Sequence, residues 1–152
     1  MRKLVKVPNP ILHEVSKPVE HIDSYIQELA SEMLAYMAGV TRIPCLGFAA
    51  VQLGELVRMI VIMGNMYSPD FREPFILINP EIVKASTRMV KSREGCLSIG
   101  DGRSEYVVLR HKLVKVVGLD LNGERRAYKE RGLPGFAFQH EIDHLNGKLV
   151  SD

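Results

Sequence analysis

The sequence predicts an α+β fold in which two helical segments flank a run of short strands. The first helical segment lies near residues 23–39, where apolar residues recur at intervals of three and four. Between residues 57 and 129 short apolar stretches alternate with turn residues, and a second helical segment follows Arg131. A length of 152 residues fits one domain, residues 1–152, with a real core.

Composition and charge exclude several classes of protein. The net charge is +2 and the charges are interspersed, so no specific nucleic acid partner is expected. The chain has no run of eighteen apolar residues and no apolar signal-peptide core, so neither a membrane span nor secretion is expected. Two cysteines, Cys45 and Cys96, do not make a disulfide framework, which fits a reducing cytoplasm.

The N-terminal third contains an arm, a helix and an irregular segment. Three prolines within residues 1–22 predict an extended arm or turns over the surface, with His13 and His21 exposed. Asp23-Ser24 is predicted to open a helix that ends at Gly39, with Ser24 and Gln27 at the spacing of a capping box. The stripe expected to face the core is Ile26, Leu29, Met33 and Met37.

Residues 39–54 are predicted to be irregular. Gly47, Ala49 and Ala50 are small, which lets a backbone or a ligand approach closely. Gln52 is a lone amide in this apolar stretch. It is either a buried side chain bonded to the backbone or a donor aimed at a substrate oxygen.

The middle of the chain reads as strands. Residues 57–63 predict a strand buried on both faces, and residues 64–73 predict a polar loop. Short strands are expected at 75–78, 81–85 and 88–91, divided by Asn79-Pro80 and Ser86-Thr87, and another at 106–110. Residues 113–121 and 124–129 predict a hairpin around the Asn122-Gly123 turn.

The final helix carries the pattern H-E-x-x-H. His140 and His144 are four residues apart, so both imidazoles project from one helix face, where they suit one divalent metal. Glu141 then lies beside the metal as a candidate general base. Pro134 suits the first turn of this helix, and Gly147 suits a left-handed C-cap.

A two-histidine site needs a third protein ligand. The metalloprotease pattern that places a third His downstream has Val150 at that position, and Val150 cannot bind a metal. Asp152 is a possible ligand but is disfavoured, because a terminal residue is expected to be mobile. An upstream thiolate is therefore favoured, and Cys96 after Gly95 is preferred to Cys45, because Gly95 would let the backbone approach the helix. The plainer alternative is that Cys96 is a small buried apolar side chain.

Three separated motifs resemble those of the peptide deformylase family. They are Gly47-Phe48-Ala49-Ala50-Val51-Gln52, Glu94-Gly95-Cys96-Leu97-Ser98 and Gln139-His140-Glu141-Ile142-Asp143-His144, in the family's order. The resemblance implies an α+β fold with short antiparallel or mixed sheets around a C-terminal metal-binding helix. The same resemblance implies a metalloenzyme that removes the formyl group from the N-terminal formyl-methionine of nascent polypeptides and releases formate. It also implies the cytoplasm of a bacterial cell or of a bacterial host.

The resemblance implies a role for each motif residue. Cys96, His140 and His144 would bind one divalent metal, usually Fe(II), with zinc, nickel or cobalt able to replace it. Glu141 would be the general acid and base, and Gln52 with the Leu97 backbone N–H would hold the developing oxyanion. The substrate cleft is expected to contain Cys45, Leu46, Gly47, Glu94 and Gly95, with an apolar pocket from Leu133, Phe136 and Ala137.

The sequence departs from the family pattern in three places: at Pro44, at Cys45 and at the C-terminus. Cys45 stands where glycine is usual, which is expected to narrow the cleft, and Pro44 is expected to stiffen that loop. The chain stops at Asp152, where most bacterial members continue into a helix associated with ribosome docking, so docking is not implied. The alternative functions are an H-E-x-x-H zinc peptidase and a metal-binding protein without catalysis.

Overall fold

A computed structural model describes residues 2–40, 45–64 and 73–152. Pro44 and most of the predicted 64–73 loop lie outside these residues. The described helices and strands, in chain order, are α1 (Ser24–Gly39), β1 (Gly47–Ala49), β2 (Met59–Met63), β3 (Pro74–Ala85), β4 (Met89–Glu94), β5 (Tyr106–His111), β6 (Leu113–Leu119), β7 (Arg125–Arg131) and α2 (Gly132–Leu145). Short 3₁₀ helices occupy Pro10–His13 and Ala50–Leu53. Neither α1 nor α2 is long and apolar enough to cross a membrane.

The strands form two antiparallel sheets. Five strands pair in the order β1-β2-β3-β6-β7, and β4 pairs with β5 in a separate two-stranded sheet. Among the described residues, the one parallel pairing is an isolated bridge between Lys17 and Val57. The arrangement confirms the predicted α+β class with short antiparallel sheets.

The five-stranded sheet lies between two hydrophobic clusters. Ile60 and Ile62 of β2 pack with Phe138 of α2 on one face, whereas Met59 and Val61 pack with residues of α1 on the other. Since neighbouring side chains of a strand point to opposite faces, β2 needs apolar residues throughout. This confirms the prediction that the strand is buried on both faces, and it explains the apolar stripe of α1.

Several element boundaries differ from the prediction. Asn79-Pro80 does not separate two strands, because β3 runs through it with a register shift between Ile78 and Glu81. Asn79 adopts a left-handed φ of 51°, and its amide bonds to both the N–H and the carbonyl of Val19, at 2.8 and 2.9 Å. These two hydrogen bonds with Val19, which lies outside the sheet, hold the irregular backbone of β3 in place.

The predicted cap of α1 and turn of the β6–β7 hairpin also need correction. Asp23, not Ser24, caps α1, since its carboxylate accepts a hydrogen bond from Ile26 N–H at 3.0 Å. The hairpin exists, but its strands end at Leu119 and resume at Arg125, so its loop is longer than two residues. Asp120 organises that loop by accepting from Glu124 N–H at 3.0 Å.

The N-terminal arm is less superficial than predicted. His13 and His21 are exposed as expected, but Leu12 is fully buried in the core. Val5 N–H donates to the Gln52 carbonyl at 2.7 Å, and Val7 N–H donates to the Ser98 carbonyl at 2.9 Å. The arm therefore joins the backbones of two motifs that are distant in sequence.

Candidate active site

A cavity of about 390 Å³ opens beside α2. It brings together all the predicted cleft residues and most of the predicted catalytic and metal-binding residues. Its lining includes Cys45, Leu46, Gly47, Gln52, Glu94, Gly95, Cys96, Leu97, Leu133, Phe136, Ala137, His140 and Glu141. Sequence reasoning did not anticipate the further lining residues Ser92, Arg93, Gly102, Arg103 and Glu105. His144 is 1% exposed and is not part of this lining.

Helix α2 places the H-E-x-x-H residues because its other side chains pack into the core. Phe138, Ile142 and Leu145 are buried in the cluster on this face of the sheet. Gln139 fixes the helix laterally, since its amide accepts from His111 N–H at 2.8 Å and donates to the His111 carbonyl at 3.0 Å. The predicted Gly147 cap is confirmed by its φ of 75°.

Three candidate ligands converge at α2, two of them in the cavity lining and the third, His144, buried beside them. One ligand atom each from Cys96, His140 and His144 lies within 4.8 Å of the others. Cys96 Sγ is 3.4 Å from His144 Nε2, and both side chains are buried. Among the described residues, Cys45 is not part of this group, as the sequence argument for Cys96 predicts.

The electrostatics of the three ligands fit a cation. Burial lowers the pKa of His144 well below its ordinary value, which keeps the imidazole neutral, as a metal ligand must be. Burial acts in the same direction on His140, but Glu141, Cys96 and Glu94 outweigh it and raise the His140 pKa to about 10. The surrounding groups thus favour positive charge at this point.

Glu94 orients His140 through a buried network. Its Oε1 lies 2.8 Å from His140 Nδ1, which leaves Nε2 as the nitrogen available to a metal. Two nitrogens of Arg110 donate hydrogen bonds to the two Glu94 carboxylate oxygens, at 2.9 and 2.7 Å, and its third nitrogen donates to the Asp143 carboxylate. Burial acts to raise the Glu94 pKa, but hydrogen bonds from Arg110, His140 and Ser92 outweigh it and lower the pKa to about 2.

Gln52 combines the two interpretations left open by the sequence. Its Oε1 accepts from the Ala49 backbone N–H at 3.0 Å, as expected of a buried amide. Its Nε2 donates to Ser98 Oγ at 3.1 Å and lies 3.9 Å from Cys96 Sγ. The donor end of the amide therefore faces the ligand cluster and the cavity.

Glu141 lies at the cavity wall against Gly47. A Cβ on Gly47 would lie 2.7 Å from both Cγ and Oε2 of Glu141, so the small residue makes room for this carboxylate. Oε1 of Glu141 is buried and has no hydrogen-bond partner among the described residues. Burial raises the Glu141 pKa to about 7, against the attraction of His140.

One expectation about the cleft loops, that for Gly95, needs correction. Gly95 allows close approach of other loop residues, not of the helix, because the atoms nearest to an added Cβ are the Gly102 and Ser104 carbonyl oxygens, each at 3.3 Å. Cys45 does line the cavity, and its Sγ donates to the Gly47 carbonyl at 3.3 Å. Burial raises the pKa of Cys45 to about 12, so it is a neutral thiol.

The sequence of the chain matches one protein family over its whole length. The family described as Polypeptide deformylase matches residues 1–152. The peptide deformylase of Mesorhizobium japonicum is 41% identical over the whole chain and 83% of its own length. That of Bartonella tribocorum is 43% identical with the same two coverages.

Solved structures show the same fold. The crystal structure of the Thermotoga maritima peptide deformylase superposes with a TM-score of 0.87 at 31% identity, covering 100% of this chain and 96% of that one. The Ehrlichia chaffeensis enzyme gives a TM-score of 0.86 at 34% identity, with 98% and 85% covered. These findings do not favour the zinc-peptidase alternative. The chain therefore belongs to the peptide deformylase family, the metal-dependent enzymes that remove the N-formyl group from nascent polypeptides.

Proposed function

We propose that Cys96, His140 and His144 hold one divalent metal ion and that Glu141, Gln52 and Leu97 carry out deformylation around it. The observation that carries the proposal is the convergence of three ligand atoms within 4.8 Å of one another, together with a buried oxygen of Glu141 that has no hydrogen-bond partner among the described residues. One sulfur and two nitrogen ligands leave a tetrahedral position open.

Fe(II) is the proposed native metal, and zinc, nickel or cobalt are proposed to fit the same ligands. A thiolate with two imidazoles is a donor set that these metals accept. When bound, such a metal polarises a carbonyl oxygen and lowers the pKa of water to roughly 7.

Glu141 is the proposed proton carrier. Its carboxylate faces the cavity and is one residue from His140, so it lies close to the ligands without joining them. It takes a proton from the attacking water and delivers it to the amine that leaves. The bond broken is the C–N bond of the formamide, and the products are formate and a free N-terminus.

Two donors are proposed to stabilise the charge that develops on the formyl oxygen. Gln52 would supply one N–H from its amide, whose nitrogen lies 3.9 Å from Cys96 Sγ, and Leu97, the residue after Cys96 in the cavity lining, would supply its backbone N–H. Fixed donors of this kind are typically worth about 3 kcal/mol each.

The substrate is the N-terminal formyl-methionine of a nascent chain. Its side chain is proposed to enter the apolar pocket of Leu133, Phe136 and Ala137, and its backbone is proposed to pair with Gly47. The proposed setting is the cytoplasm of a bacterial cell or of a bacterial host, with residues 1–152 as one catalytic domain. Docking to the ribosome and specific nucleic acid binding are not part of the proposal.

Formate release distinguishes this function from peptide hydrolysis. The purified protein, loaded with Fe(II) without oxygen, is given formyl-Met-Ala-Ser and, separately, Met-Ala-Ser. The expected result is one formate per formylated peptide and an uncut unformylated peptide. Cleavage of the Met-Ala bond without formate would refute the deformylase assignment.

A further inference from the structure

Ser98 connects two parts of the site that lie far apart in sequence. It belongs to a tight turn closed by a hydrogen bond from Ile99 N–H to the Cys96 carbonyl at 3.1 Å. Its side chain is fully buried, and its Oγ accepts the hydrogen bond from Gln52 Nε2 at 3.1 Å. The turn that carries the candidate thiolate therefore also holds an amide from another segment.

The Gln52 amide is held at both ends. Its oxygen accepts a hydrogen bond from Ala49 N–H at 3.0 Å, so the backbone holds this end of the group. Its nitrogen carries two N–H bonds, of which Ser98 accepts one. The remaining N–H is directed toward Cys96 Sγ, 3.9 Å from the nitrogen.

The backbones of Gln52 and Ser98 are fixed independently of their side chains. Val5 N–H donates to the Gln52 carbonyl and Val7 N–H to the Ser98 carbonyl, at 2.7 and 2.9 Å. Removing the Ser98 hydroxyl therefore leaves the turn anchored. The Gln52 amide then keeps its bond from Ala49 N–H but loses the bond that fixes its nitrogen.

We propose that Ser98 is a positioning residue, whose hydroxyl holds Gln52 so that its second N–H meets the charge developing on the formyl oxygen. The inference rests on the proposed function, in which Gln52 is an oxyanion donor. A fixed donor stabilises the transition state because it needs no reorganisation during the reaction. Since that charge is absent from the ground state, the effect falls on kcat and not on KM.

A double-mutant cycle of Ser98→Ala and Gln52→Ala tests whether Ser98 acts through Gln52. Ser16→Ala is the matched control, because Ser16 is equally buried but its Oγ has no hydrogen-bond partner among the described residues. The constants kcat and KM for formyl-Met-Ala-Ser are measured on preparations with equal metal content.

The cycle has a distinct expected pattern. Ser98→Ala should lower kcat about tenfold and change KM less than about twofold, while Ser16→Ala keeps the wild-type kcat. In the Gln52→Ala background, Ser98→Ala should lower kcat less than about twofold. An unchanged kcat in Ser98→Ala, or equal losses in both backgrounds, would overturn the inference.

A second measurement does not depend on turnover. The side-chain amide protons of Gln52 are followed by NMR in the zinc-loaded protein, and their exchange with water should be at least about tenfold faster in Ser98→Ala than in wild type and Ser16→Ala. Equal exchange rates would overturn the inference even if no formate were released. If Ser98→Ala exchanges faster but the wild-type protein releases no formate, the Ser98–Gln52 contact is supported and only the proposed deformylase function is rejected.

Discussion

The carboxylate of Glu141 occupies the space where a side chain on Gly47 would begin. A Cβ added to Gly47 would lie 2.7 Å from Glu141 Cγ, 2.7 Å from Oε2 and 3.0 Å from Cδ. Contacts this short force the carboxylate to move. We predict that Gly47→Ala lowers kcat/KM about 100-fold with metal content retained, because displacement of a reacting group by 1 Å can cost that much.

Gly39→Ala is the control for the Gly47 substitution. A Cβ on Gly39 would meet no described atom within 4 Å, so this variant should keep wild-type kcat/KM. Steady-state kinetics and elemental analysis on both variants check the prediction. Wild-type kinetics in Gly47→Ala would show that the position of Glu141 against the glycine does not matter.

The two cysteines are predicted to differ in metal binding. Cys96 lies with His140 and His144, whereas Cys45 donates its thiol hydrogen to the Gly47 carbonyl. Cys96→Ala should therefore abolish stoichiometric metal binding, and Cys45→Ala should retain one metal per chain. Elemental analysis after anaerobic purification measures both, and the reverse pattern would transfer the thiolate role to Cys45.

Glu94 is predicted to control how firmly the metal is held. It accepts from His140 Nδ1 at 2.8 Å and is paired with Arg110. Glu94→Gln keeps the shape but removes the charge that orients the imidazole, so metal affinity should fall about 10–100-fold. Competition with a chelator measures the affinity. Glu105→Gln is the control, because the Glu105 side chain is exposed and lines the cavity. This variant should keep the wild-type metal affinity.

The sequence was sufficient to predict the helix that carries the candidate ligands His140 and His144, but not the hydrogen-bond network of Glu94, Arg110 and Asp143 behind it. His140 and His144 could be placed together because a helix brings residues four apart onto one face. Arg110 could not be assigned to this network from the sequence, because in β5 the arginine is buried and the neighbouring leucine is exposed, the opposite of what their polarity predicts. Leu109 is 61% exposed, whereas Arg110 beside it is 6% exposed. Its partners Glu94 and Asp143 are 16 and 33 residues away, and local periodicity contains no such information.

Strand β1 and the path of β3 were missed for related reasons. Gly47–Ala49 is three residues long, too short for a period of two, and it exists as a strand because it pairs with Val61 and its neighbours in β2. Asn79-Pro80 carries a strong local signal for a strand end. Two tertiary hydrogen bonds between Asn79 and Val19, one donated by each residue, override it, and the strand continues.

A charge cluster at the N-terminal arm predicts pH-dependent stability. Glu55 accepts from Arg2 Nε and from the Tyr25 hydroxyl, each at 2.6 Å. Burial acts to raise the Glu55 pKa, but the bonds from Tyr25 and Arg2 outweigh it and lower the pKa below its ordinary value of 4.5. The contribution of Glu55 to the free energy of unfolding is therefore full above that value and is lost as the pH falls through the lowered pKa.

Urea unfolding of wild type and Glu55→Gln at several pH values measures that contribution. The variant should be less stable at pH 7 by up to about 1 kcal/mol, since the pair is partly exposed. The difference should shrink as the pH falls below about 4.5, the range where the wild-type carboxylate gains its proton. Glu28→Gln on the exposed face of α1 is the control. A difference that grows on acidification would contradict the sign.

The last prediction separates proton transfer from metal binding at Glu141. Its Oε1 has no hydrogen-bond partner among the described residues, so replacing the carboxylate by an amide of the same shape breaks no recorded bond to that atom. Glu141→Gln should therefore keep the fold and bind one metal per chain through Cys96, His140 and His144. An amide cannot take a proton from water, and proton transfer by a placed side chain contributes typically 10²–10⁴-fold. Because the same carboxylate serves in two transfers, we expect kcat to fall at least about 10³-fold.

Formyl-methionyl peptide should still bind to Glu141→Gln, since Gln52, Leu97 and the apolar pocket are intact. Turnover and metal content are measured on one preparation, and a metal-replete Glu141→Gln protein with near-normal kcat would remove Glu141 from the chemistry.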